Sequence, residues 1–249
     1  MDPASNQIEY SRRRIRLIGD ALRLAPALAA PDTVHLWTFP LYRGEADHVL
    51  LSAEETQRAN RFHFDVHRDR FIAGRAQLRR ILGNYLGTSP QQITLTYSPS
   101  GKPAIRAPVP LAFNLSHSGN LAALAVARFE IGVDIEQIRT IDRDIAQRFF
   151  AGDEVATLFG LPDEQWNEAF FSCWTRKEAY LKATGDGLLV ALDSFSVSLT
   201  PGKPAELLRV KSQPQEPAHW QFASFVPAPG FMGAIAARQR HWQVCRHAL

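Results

Sequence analysis

A chain of 249 residues, 45% of them hydrophobic, is long enough to bury a core without covalent staples. Its two cysteines, Cys173 and Cys245, lie in no metal-ligand or C-x-x-C spacing, which argues against a disulfide framework or a structural zinc site and leads us to expect a reducing, cytoplasmic setting. The net charge of +3 is modest, but arginines are dense between Arg58 and Arg80, a local excess that suits phosphates or acidic proteins as well as a solvated helix face.

Residues 1–30 read as an N-terminal extension. Its stretch from Arg12-Arg13-Arg14 through Leu17 to Ala30 resembles a targeting signal, yet Asp20 and Arg23 interrupt the apolar run. No apolar run reaches the roughly 20 residues of a membrane span, so a soluble protein without a membrane partner is expected. A helix is predicted from Arg68 to Leu86, with Gly87 as its C-cap. Ile93 to Tyr97 alternates like a strand and leads into the turn Gly101-Lys102-Pro103-Ala104. Phe113 to Arg128 begins with a polar patch and ends in a small apolar strand. Ile131-Gly132-Val133-Asp134-Ile135-Glu136 alternates apolar and acidic residues. A second helix is predicted from Glu164 to Ala183, closed by Gly185, followed by the strand Phe195 to Leu199, the turn Gly202-Lys203-Pro204-Ala205, and a phenylalanine-led segment from Phe222 to Arg238.

The chain thus repeats itself: helix, glycine cap, strand, Gly-Lys-Pro-Ala turn and a phenylalanine-led segment recur in the same order about a hundred residues apart. The fold class expected is α+β, a pseudo-dimer of two related α+β halves, each with a small antiparallel sheet packed against a long helix. The halves run from 31–130 and 131–249. A cleft between similar halves is a natural ligand site, to which each can contribute different groups.

Three segments carry chemistry. On a strand, Asp134 and Glu136 project from one face while Val133 and Ile135 pack on the other. Two carboxylates in one small space repel unless a cation lies between them, and hard oxygen ligands suit Mg²⁺; an isolated D-x-E also suits an exposed face with salt bridges. Trp174, Glu178 and Lys182, spaced by four, share one face of the second helix, where they could form a surface ion pair or, in a helix flanked by Phe170, Phe171, Cys173 and Leu181, meet a metal and a phosphate. The patch Phe113-Asn114-Leu115-Ser116-His117-Ser118-Gly119 offers hydroxyl and amide groups that can bond a phosphate or nucleotide.

Taken together, Gly132-Val-Asp134-Ile-Glu136, Trp174-x-x-Lys177-Glu178-Ala179, Asn114-Leu-Ser116-His117-Ser118 and the turn Gly101-Lys102-Pro103 resemble, in order and spacing, the motifs of the 4′-phosphopantetheinyl transferase superfamily, in its long, Sfp-like class. The resemblance covers about Arg58 to Gly187. It implies that Asp134, Glu136 and Glu178 hold Mg²⁺, with the pyrophosphate of coenzyme A completing the shell, and that Lys182 contacts the phosphates. Ser116 and His117 match positions that bind the 3′-phosphorylated nucleotide, Lys102 the segment that closes over the adenosine, and Arg58 a basic position meeting the same end, with Arg75 as a further candidate. Some long members carry another basic residue where this chain has Glu55, which implies a rearranged grip on the 3′-phosphate. The implied reaction is attack by a serine hydroxyl of an acyl or peptidyl carrier protein on the β-phosphate, with 3′,5′-ADP leaving; Asp134, Glu178 and Lys182 are the catalytic residues. Glu178 is the first choice of base and a water held by Glu136 the alternative. The first half would then hold the nucleotide end and the second half the metal and acids, in an active monomer.

Other classes fit less well. Neither G-x-x-x-x-G-K-[ST] nor G-x-G-x-x-G occurs. Nucleic-acid binding by Arg12 to Arg16 and the arginine-rich helix would leave three acids facing phosphate. A relative that binds coenzyme A without transfer remains, and predicts a lost metal ligand where none is lost. Which carrier protein is served is not encoded in a readable motif.

Overall fold

The computed structural model describes residues 30–107, 110–185, 187 and 190–249. The targeting-like run and Arg12 to Arg16 therefore lie, apart from Ala30, outside the described residues. No helix among the described residues is long and apolar enough to cross a membrane.

In chain order the regular elements are β1 (Thr33–Pro40), α1 (Ala53–Ala59), α2 (Asp65–Leu86), β2 (Leu95–Tyr97), β3 (Pro103–Ile105), β4 (Ala112–Ser118), β5 (Leu121–Ala127) and β6 (Gly132–Gln137). They continue with α3 (Asp144–Phe149), α4 (Gly152–Phe159), α5 (Asp163–Thr184), β7 (Phe195–Val197), β8 (Leu207–Val210), β9 (Gln221–Phe225), β10 (Phe231–Ala237) and β11 (Gln243–Ala248). Both long helices end where the glycines predict: Gly87 has φ +61 and Gly185 φ +78, left-handed conformations that favour a residue without Cβ. The phenylalanine-led segment at 113 departs from expectation. Its polar patch is itself a strand, β4, in which Asn114, Ser116 and Ser118 alternate into buried positions while paired to β5.

The described residues pack into two units. Residues 40–94 form one, and residues 30–39 with 95–248 form the other. In the unit of residues 40–94, a capping box opens α1: Ser52 Oγ accepts from Glu55 N, and Glu55 Oε2 accepts from Ser52 N at 2.9 Å. The same Oε2 accepts from Arg79 Nε at 2.7 Å, and Arg79 donates onward to the carbonyls of Pro90 and Ile93. Glu55 is thus a buried structural acid that ties α1 to α2.

In the larger unit, one sheet has the order β11-β1-β5-β4 and another the order β6-β10-β9. The second is antiparallel throughout; the first is not purely antiparallel, since β11 runs parallel to β1. The inner faces share one core, in which Val34, Leu36, Ala123 and Ala125 meet Val133, Ile135, Ile235 and Phe225. That shared core joins strands from both sides of residue 130. The other face of β6-β10 carries α5, where Ala179, Ala183, Ala234 and Ala236 belong to one cluster with Phe170 and Trp166. Gly132 permits this close approach: a Cβ there would lie 2.0 Å from the carbonyl oxygen of Ala179.

Candidate active site

Alternation along β6 sends Val133 and Ile135 into the core between the sheets and turns Asp134 and Glu136 toward the α5 side. On β10, Ala234 stands opposite Asp134 and Met232 opposite Glu136. From Phe171 to Ala183, every residue of α5 is buried except Trp174, Glu178 and Lys182. The spacing of four therefore marks the face that remains open.

Lys182 Nζ donates to Asp134 Oδ1 at 2.6 Å and to Ser116 Oγ at 3.0 Å. Ser116 Oγ donates to the same Asp134 oxygen at 2.8 Å. Asp134 Oδ2 is buried and has no hydrogen-bond partner. Beside it, Ser118 Oγ donates to Glu136 Oε2 at 2.7 Å. Burial holds the Glu136 carboxyl above its ordinary range, with the Asp134 charge adding to the rise and the Ser118 hydroxyl opposing it. Burial likewise raises Glu178, reinforced by Asp134 and Glu136 and offset by Lys182. The three acids thus feel one another's charge.

A cavity of about 260 Å³ opens beside this cluster, lined by Glu178, Leu181, Lys182, Asn114, Gly185, Gly187 and the turn from Ser100 to Lys102. Lys102 Nζ donates to Glu130 Oε2 at 2.7 Å and to the carbonyl of Ala183 at 3.2 Å, which anchors the β2–β3 turn on the last turn of α5. Such a lysine also meets the negative end of the helix dipole.

Among the described residues, no group of three or more His, Cys, Asp or Glu side chains forms a ready-made cation site. The donors nevertheless fit Mg²⁺, which is commonly held by one or two carboxylates together with substrate phosphates. The unpartnered, buried Asp134 Oδ2 and the raised carboxyls of Glu136 and Glu178 are hard oxygen donors whose mutual repulsion a cation would relieve.

His117 is exposed on the face of β4 opposite Ser116 and Ser118, so it does not join them. Ser116, expected at the nucleotide end, has its hydroxyl committed to Asp134. Arg58 and Arg75 belong to the unit of residues 40–94, where their guanidinium carbons sit 5.3 and 5.5 Å from the centroid of the Phe71 ring. Arg75 also lies 3.9 Å from Glu55 Oε1. Lys177, within the Trp174 motif, points inward: its ammonium is 2.7 Å from Glu154 Oε2 and donates to the carbonyls of Leu192 and Phe195. Ser118, expected with its neighbours to bond a phosphate or nucleotide, gives its proton to Glu136, and the signal for that partnership is the N-x-S-x-S period of two on β4; no motif pointed to Glu130.

Residues 44–129 match the family model described as 4′-phosphopantetheinyl transferase, N-terminal, and residues 130–244 match that of the 4′-phosphopantetheinyl transferase superfamily. The chain is 45% identical over 222 residues to the 4′-phosphopantetheinyl transferase HetI of Nostoc sp., covering 85% of this chain and 90% of that protein. It is 37% identical over 158 residues to the 4′-phosphopantetheinyl transferase psf-1 of Bacillus pumilus, covering 64% of this chain and 68% of that one. With the 4′-phosphopantetheinyl transferase Sfp of Bacillus subtilis it shares 31% over 162 residues, or 64% and 72% of the two chains.

Proposed function

Because the chain belongs to the 4′-phosphopantetheinyl transferase superfamily, in its long, Sfp-like class, we propose that it moves the phosphopantetheine arm of coenzyme A onto a serine of an acyl or peptidyl carrier protein, with Mg²⁺ required and 3′,5′-ADP released. The observation that carries this is the cluster of Lys182, Asp134 and Ser116 beside Glu136 and Glu178, on the rim of the cavity.

Transfer of a phosphoryl group needs charge neutralisation more than covalent help. Mg²⁺, held by Asp134, Glu136 and Glu178 with phosphate oxygens, would supply most of it. Lys182, with its ammonium at the same carboxylate, neutralises a further phosphate oxygen. Glu178 accepts the proton of the attacking hydroxyl as the new O–P bond forms and the bond to 3′,5′-ADP breaks; burial raises its affinity for that proton. A water oriented by Glu136 is the second candidate for this step. Lys102 lines the cavity and is assigned, with Arg58, Arg75 and His117, to the nucleotide end, whereas Ser116 serves the Asp134 carboxylate. The thiol of coenzyme A is untouched, so neither cysteine has a catalytic role. The protein is assigned to the cytoplasm, with no nucleic-acid or membrane partner.

Incubation of several apo carrier proteins with the enzyme, coenzyme A and Mg²⁺, followed by intact mass spectrometry, tests the assignment. The expected result is a gain of one phosphopantetheine on at least one carrier, lost when EDTA is added. Tight coenzyme A binding without a mass gain on any acyl or peptidyl carrier would favour a binding-only relative.

A further inference from the structure

Strand β4 turns Asn114, Ser116 and Ser118 toward β6, although the two strands belong to different sheets. Side-chain oxygens make the seam that carbonyls would make within a sheet. Asn114 Oδ1 accepts from Val133 N at 2.9 Å, Ser116 Oγ from Ile135 N at 3.4 Å and Ser118 Oγ from Gln137 N at 3.0 Å. The two hydroxyls do something more. Each donates its own proton to the carboxylate of the preceding β6 residue, Ser116 to Asp134 at 2.8 Å and Ser118 to Glu136 at 2.7 Å.

A hydroxyl has one proton, and a bond accepted from a fixed backbone amide restricts where that proton can point. The amides of Ile135 and Gln137 therefore aim the two hydroxyls, and the hydroxyls aim the carboxylates. Glutamate has the longer and freer side chain, so Glu136 gains more order from such a contact than Asp134, which Lys182 also holds. The pairing registers set the hydroxyl-bearing β4–β5 pair apart from β9–β10. Ser116 stands opposite Ala123 on β5, while the corresponding place opposite Gly233 on β10 is taken by Phe225. The Phe225 ring covers Gly233 so closely that a Cβ there would lie 2.6 Å from it.

We propose that Ser118 is a positioning residue that holds the Glu136 carboxylate toward the cation, as Ser116 holds that of Asp134. The proposal rests on the transferase function above, in which that cation is Mg²⁺. Ser118 itself is not a metal ligand.

Threonine and valine at position 118 have the same shape and differ in the hydroxyl, so S118T and S118V isolate its contribution, with S118A as a smaller control. Mn²⁺ serves as the probe, its free signal followed by electron paramagnetic resonance in titrations of the full chain with coenzyme A present; calorimetry records the melting temperature of each protein. S118V and S118A are expected to bind Mn²⁺ about tenfold or more weakly than wild type, and S118T within about threefold of it, as for a lost and a retained partner of a metal ligand. Agreement of S118T and S118V within about twofold overturns the proposal, whatever their melting temperatures. Wild-type protein that takes up no Mn²⁺ overturns the metal assignment itself, and the proposal with it.

Discussion

The ammonium of Lys182, on the last turn of α5, lies 2.6 Å from Asp134 Oδ1, in the middle of β6. This contact joins the acidic motif on β6 to the motif on α5 across 48 residues of sequence. It sets a cation against a buried carboxylate whose second oxygen has no partner. Asp134→Ala removes the charge on which the cluster is organised, and Glu178→Gln removes a neighbouring one without changing its shape. Either variant should lose at least roughly 100-fold in transfer rate, a loss typical of removing one electrostatic group from a transition-state site. Circular dichroism should show an unchanged fold. Near-normal turnover of either protein would remove the site assignment.

Stability should respond to Glu178 in a definite direction. Burial raises its carboxyl above the ordinary glutamate value, so the folded state holds a proton that the unfolded chain has released. Stability therefore falls as pH rises from the ordinary glutamate range through the raised folded value, and the penalty persists above it. Glu178→Gln carries no such penalty. In EDTA, its melting temperature should exceed that of wild type at neutral pH, and the difference should vanish in acid below the unfolded value. A difference independent of pH would show that the Glu178 charge is not destabilising.

Lys177 and Glu154 are both fully buried and 2.7 Å apart. Replacing one member leaves an uncompensated charge in the core, so Lys177→Met should lower unfolding free energy by about 3–5 kcal/mol. Urea titration checks this. A loss below about 1 kcal/mol, the size expected for a surface pair, would contradict the structural role.

Arg58 stacks on Phe71 from the exposed side of α1. Arg58→Ala should weaken coenzyme A by about tenfold and dephospho-coenzyme A far less, since a charge-assisted bond to the 3′-phosphate would be lost only in the first. Calorimetric titration of both ligands measures the difference. Equal losses would mean that Arg58 does not meet that phosphate.

Asp134, Glu136, Ser116, Ser118, Glu178, Lys182 and Lys102 all lie in one unit of one chain. The active species should accordingly be a monomer in sedimentation, with and without coenzyme A. Mixing inactive Asp134 and Lys102 variants should restore nothing. Rescue on mixing would place the site between chains.

Much of this site was legible in local sequence periodicity. A period of two in Gly132-Val-Asp134-Ile-Glu136 separates an acidic from an apolar face on any strand, and a spacing of four aligns Trp174, Glu178 and Lys182 on any helix. Gly87 and Gly185 likewise mark helix ends, because their left-handed backbone needs no partner elsewhere in the chain. Tertiary structure alone decided the rest. Lys182 reaches Ser116 and Asp134 from 66 and 48 residues away, and Lys102 reaches Ala183 across 81. The proton of Ser118 finds Glu136 only because two strands of different sheets are brought side by side by a common core. Backbone conformation is governed by near neighbours and so is written in short motifs; hydrogen-bond and charge partners are selected by which faces pack, and a single segment carries no record of that choice.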